Sequence, residues 1–74
     1  MRKLSELKSG ETGKIKTIEA NPSLRQRLLE MGFTPGTEVE VEQFAPLADP
    51  VIFKILGYHI SLRKTEAATI ILEN

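Results

Sequence analysis

The segment from Asn21 to Thr37 constrains this chain more than any other. Asn21-Pro22 reads as a helix start. Asparagine caps free amides, and proline at the first helical position has its φ preset and needs no N–H partner. Leu24, Leu28 and Met31 then recur at i, i+4 and i+7 and share one face. The spacing predicts a helix over about Pro22–Met31 that buries all three. Gly32 suits the left-handed residue that ends a helix, and Phe33 is set to fold back onto Leu28. Thr34-Pro35-Gly36-Thr37 then carries the type II turn signature, proline second and glycine third. Alternation begins at once, with Val39 and Val41 inward and Glu38, Glu40 and Glu42 outward. One short amphipathic helix among short strands predicts a small barrel with a single inserted helix.

The rest of the chain supplies the strands. Leu4 and Leu7 read as a short arm anchored on the core, ended by Ser9, Gly10 and Gly13. Lys14–Glu19 reads as a first strand, but Ile15 and Ile18 are three apart, so a bulge intervenes or the strand is short. The prolines and the Asp-Pro step in Ala45–Pro50 break any ladder and predict a loop. Val51–Leu56, then Gly57, then Tyr58, Ile60 and Leu62 alternating with His59, Ser61 and Arg63, read as a hairpin. Lys64–Ala67 reads as a turn or a single helical turn, and Thr69–Leu72 as a last strand. About five short strands with turns at this spacing favour a barrel or sandwich over a parallel sheet. The fold expectation is therefore mainly β, a small barrel of about five strands with one α-helix, forming one domain over 1–74.

Size and composition narrow the function. A chain of 74 residues buries only about 60% of the surface its unfolded form exposes. A deep enclosed active site is therefore disfavoured against a docking surface. There is no cysteine, so thiolate nucleophiles, disulfides and the usual structural zinc sites are out. The ten basic and ten acidic side chains cancel. That balance lacks the basic footprint of a nucleic-acid binder. No long apolar run follows Met1-Arg2-Lys3, so neither a signal peptide nor membrane insertion is expected.

Catalytic and metal chemistry finds little support. Ser61, His59 and Asp49 name a triad only on paper, since Ser61 and His59 lie two apart on one strand face with no oxyanion motif. Gly10 and Gly13 lack the Lys-Ser/Thr pair of a phosphate loop. His59 is the only imidazole, and a row of Glu38, Glu40 and Glu42 is more simply a solvated strand face than a metal site. No cofactor and no metal ligand set are expected, and no enzyme activity. Arg25 and Arg27 on the helix have the chemistry of a GTPase arginine finger, but a solvated role, or an Arg27–Glu30 pair, is simpler. Leu29 lies off the buried stripe, beside Arg25. It either covers a neighbouring loop or faces a partner. Together with Pro46 and Leu47 of the proline-bounded loop, Arg25 and Leu29 make the candidate partner-binding set.

Three ordered motifs then carry a resemblance. Leu28–Thr37 resembles the L-x-x-x-G-x-x-P-G-T signature of the FeoA family of ferrous iron transport proteins. Ala45-Pro46-Leu47-Ala48-Asp49-Pro50 resembles that family's A-P-L-G-D-P loop, with Ala48 where glycine is usual. Ser61–Ala67 resembles its S-L-R-[KR]-x-E-A ending. The resemblance implies an SH3-like barrel with an inserted helix. It implies a small cytoplasmic, non-enzymatic partner of FeoB, the membrane ferrous iron transporter with a GTP-binding domain. The same barrel also occurs in metal-dependent repressors, so the alternative is a stand-alone regulatory module acting on such a repressor. A metal carrier is the third reading.

Overall fold

The structure is a computed structural model that describes residues 1–43 and 49–73. A 3-10 turn at Leu4–Glu6 leads to β1 (Thr12–Ile18), α1 (Pro22–Glu30), β2 (Glu38–Gln43), β3 (Val51–Ile55), β4 (Tyr58–Leu62), the single-turn α2 (Lys64–Ala67) and β5 (Ile70–Leu72). The strands form one antiparallel five-stranded sheet in the order β4-β3-β2-β1-β5. This is the expected mainly β barrel with one inserted helix. The predicted first strand starts earlier and the last later than their sequence bounds, and Leu56 belongs to a turn, not to β3.

The helix forms as its caps dictate. The Asn21 side chain accepts the Leu24 N–H at 2.8 Å, and Pro22 opens the first turn. At the other end Gly32 has φ +106°. There the Gly32 N–H donates to the Leu29 carbonyl at 3.0 Å and the Phe33 N–H to the Leu28 carbonyl at 3.0 Å. That reversed pair is the Schellman stop, and it brings Phe33 and Leu28 together, both fully buried. The next turn also holds: the Thr37 N–H donates to the Thr34 carbonyl at 3.1 Å, with Gly36 at φ +91°. It is pinned to β1, because Gly36 donates to the Ile15 carbonyl (2.8 Å) and Ile15 donates to the Thr37 carbonyl (2.9 Å).

The three-residue spacing of Ile15 and Ile18 has the predicted cause. The β1–β5 register shifts between Ile15 and Thr17, and the extra residue returns Ile18 to the core face. Gly13 is required for another reason: a Cβ there would stand 2.6 Å from Leu72 Cδ1. The core joins Leu4 and Leu7 of the arm to Ile15, Ile18, Leu28, Phe33, Val39, Val41, Val51, Phe53, Ile55, Leu62, Ala67, Ile70 and Leu72. No polar or charged residue is buried with them among the described residues.

One expectation needs correction. Leu24 and Met31 are only half-buried, and within α1 only Leu28 is fully buried. The helix is nine residues long. Leu28 in its middle enters the core, while Leu24 of the first turn and Met31 of the cap pack against the core from outside, partly exposed.

The N-terminal arm is tied down by Glu11. Its carboxylate accepts the Lys8 N–H at 2.7 Å and meets the Arg2 guanidinium at 3.2 Å. The Lys8 bond first, and then Arg2, hold its pKa below the usual carboxylate range.

Two substitutions test this packing. Leu28→Ala should lower stability by about 2–5 kcal/mol in denaturant melts, as for other core leucine truncations. Gly13→Ala should lower it by about 1–3 kcal/mol through overpacking against Leu72. A loss below about half a kcal/mol at Leu28 would mean that α1 does not close the core.

Candidate interaction surface

The described surface has no enclosed pocket and no group of three or more potential metal ligands. His59 Nε2 lies 3.7 Å from Glu42 Oε1, and nothing else joins them as a ligand. Asp49 does not approach His59 and Ser61 as a triad would require; its Oδ1 accepts the Lys64 N–H at 2.9 Å. The Glu38, Glu40 and Glu42 row does face outward. Register sets Glu38 directly opposite Lys14 and Glu40 opposite Lys54. The carboxylates are thus matched by cations across the strands, which is how a solvated sheet face is stabilised.

The helix presents a different surface. Arg25 is exposed, and its guanidinium has no partner among the described residues. Leu29 is half-buried and packs against the core. Pro46 and Leu47, with Ala48 of the same loop, lie outside the described residues.

Arg27 corrects a second expectation. It does not pair with Glu30. Its guanidinium donates to Glu66 Oε2 at 2.7 Å, across 39 positions of sequence, while Gln26 donates to Glu30 at 3.1 Å. Glu66 is free to reach α1 because it sits in α2, where its other oxygen accepts the Arg63 N–H at 2.9 Å. One carboxylate therefore caps α2 and clasps α1. Local sequence spacing could not reveal this, since the partners belong to different motifs.

The hairpin tip was also hidden. Leu56 and Gly57 are the two loop residues, with φ +51° and +81°. Both positive values are what a type I′ turn requires, and asparagine or glycine normally fills the first position. A left-handed leucine is disfavoured by roughly 1–2 kcal/mol. Leu56 is nonetheless 64% exposed and Tyr58 68% exposed. The alternation of Tyr58, Ile60 and Leu62 puts all three on the core face, yet only Leu62 is buried. Leu56 leans on the end of α1, its Cδ1 3.1 Å from where a Cβ on Gly32 would stand. The sequence signal was the two-residue gap between alternating runs, which specifies the turn and hence the unusual leucine.

A five-stranded barrel with one inserted helix, its polar chemistry spread over the surface, defines the class of small SH3-like barrel domains. Comparison with known proteins makes this specific. The FeoA domain family model matches residues 2–74, and the chain belongs to that family. It is 45% identical over 71 residues to the Porphyromonas gingivalis Fe(2+) transport protein A/Fe(2+) transporter FeoB fusion protein. That match covers 96% of this chain but only 8% of the fusion protein. The solution structure of iron(II) transport protein A from Clostridium thermocellum superposes with TM-score 0.90 at 46% identity, covering 97% of this chain and 44% of that one. The zinc complex of Stenotrophomonas maltophilia FeoA, described as a procaryotic SH3 domain protein, superposes with TM-score 0.87 at 26% identity, covering 99% and 91%. The family links this chain to ferrous iron transport, and no helix among the described residues is long and apolar enough to cross a membrane.

A double-mutant cycle on Arg27→Ala and Glu66→Ala tests the clasp. Arg27 is largely solvated although Glu66 is mostly covered, so a coupling of about 0.2–1 kcal/mol is expected. Glu66→Ala alone should cost more than Arg27→Ala, because it also uncaps α2. Equal losses in thermal melts would mean that the cap contributes nothing.

Proposed function

We propose that this chain is a non-enzymatic accessory domain of ferrous iron uptake that binds the cytosolic region of a FeoB-type membrane transporter. The observation that carries this reading is the Porphyromonas gingivalis relative, in which an FeoA domain and FeoB are one polypeptide. Fusion of two domains elsewhere is most useful when they work in contact, because a tether replaces diffusion with a high effective concentration. The surface chemistry is compatible: with no net charge, the chain has no electrostatic pull toward nucleic acid or an anionic membrane. The docking surface we assign is the outer flank of α1, Arg25 with Leu29, and from the sequence alone Pro46 and Leu47.

The test is a pull-down of the transporter's isolated cytosolic region in its nucleotide-free, GDP and GTP-analogue forms. Binding to at least one form is expected. Arg25→Glu should weaken it with the melting temperature unchanged. Leu29→Asp should abolish it, and a folded Leu29→Asp protein that still binds would exclude the α1 flank. Absence of binding in all three forms would sink the partner assignment itself.

A further inference from the structure

The sheet has two edges, and they are treated differently. The β5 edge is covered by the N-terminal arm: Lys3 bridges Ile71, and the Leu72 N–H donates to the Arg2 carbonyl at 2.9 Å. The β4 edge has no such cover among the described residues. In a two-residue hairpin the closing pair exchanges both backbone hydrogen bonds, and bonded and non-bonded pairs then alternate. From Ile55↔Tyr58, the bonded pairs are Phe53↔Ile60 and Val51↔Leu62, while Lys54↔His59 and Ile52↔Ser61 are not bonded. The backbone N–H and C=O groups of His59 and Ser61 therefore point out of the sheet. Neither residue has a backbone partner on that side among the described residues, and both are exposed.

We propose that this edge is a strand-addition site for an extended partner segment of alternating acidic and apolar residues. Backbone groups supply the ladder, as in other edge-pairing recognition. The side chains set the chemistry. From Pro50 to Thr65 the sequence carries no carboxylate, and the two basic side chains that reach the β4 side are His59 and Arg63. His59 and Ser61 line the outer face of β4, with Arg63 just past its end at the same spacing. Glu42 lies 3.7 Å from His59, while Asp49 and Glu66 are occupied on the Lys64 and Arg63 backbone amides. Arg63 is exposed, with no side-chain partner among the described residues. An incoming strand with acids on alternate positions sets them beside His59 and Arg63. Its apolar residues then fall on the other face, beside the half-buried Ile60 and the exposed Tyr58 and Leu56. The chain already shows the pairing it prefers: β3, which carries Lys54, takes as its other neighbour β2, whose sequence is Glu38-Val39-Glu40-Val41-Glu42. Leu56 fits the same picture, since a strained leucine held open to solvent at the end of the edge is a ready anchor.

This inference rests on the chain being an interaction domain, not on the α1 flank or on the identity of the transporter. The probe is a blocked peptide with the sequence of residues 37–43, Thr-Glu-Val-Glu-Val-Glu-Gln, titrated into the whole chain and followed by NMR amide exchange. At saturation, exchange of the His59 and Ser61 amides should slow by roughly tenfold or more. A peptide with lysine for each glutamate should bind roughly tenfold more weakly at low salt. Ser61→Pro removes one outward N–H at a position where an edge strand tolerates proline, so it should abolish binding without lowering the melting temperature. Leu56→Asn relieves the left-handed strain, so it should leave the melting temperature equal or higher while weakening binding. Leu29→Asp, if folded, should bind the peptide normally. Unchanged exchange at both amides with millimolar peptide overturns the proposal. So does full binding by Ser61→Pro. Protection of these amides that rises with protein concentration alone would mean that a second copy occupies the edge, and would overturn the assigned occupant.

Discussion

The stop at Gly32 is the constraint on which the fold depends. A helix carried one turn further would push Phe33 into solvent and leave Leu28 without its companion. The positive φ at Gly32 reverses the chain, and the two backbone bonds from Gly32 and Phe33 lock that reversal. Phe33 enters the core, and the next turn reaches Ile15 through both of its own backbone bonds to that residue. From there β2 starts at Glu38, in register with Lys14. A single glycine thus fixes the helix end, the position of a core aromatic and the alignment of the central strands. Few residue types could hold that place, because a side chain there would be both strained and crowded by Leu56.

What could be read in the sequence follows from how local each determinant is. Caps, the glycine stop and the Pro-Gly turn are decided by neighbours in the chain, and each stands where the sequence puts it. The bulge in β1 was legible as a broken period, Ile15 to Ile18, because a register shift must leave that trace. The depth of burial along α1 was not legible. Periodicity tells which residues share a face, but not how deeply each of them is buried. Leu29 shows the same limit from the other side: off the stripe by angle, it still packs partly buried on the core. Arg27 found Glu66, not Glu30, since contacts between distant elements leave no mark in local spacing. The α1 flank therefore remains an assignment from sequence, with Arg25 its most accessible member.

Charge is arranged so that the barrel has little long-range field. Glu38 and Glu40 sit opposite Lys14 and Lys54, and the totals cancel. Recognition by such a domain must come from short-range contacts, from shape, backbone hydrogen bonding and a few apolar anchors. That suits a partner already held nearby, as in a relative where both domains share one chain. A domain that meets its partner at high local concentration needs no steering from a distance.

The unequal edges of the sheet have a consequence for solubility. An exposed strand edge is the usual seed of open-ended growth, because each added molecule offers a fresh edge to the next. Here the arm over Ile71 and Leu72 closes one side. A molecule that joins through β4 presents only its sealed β5 edge beyond. Growth by stacking therefore ends after one step, and the domain keeps an adhesive strand without the means to build a fibre from it.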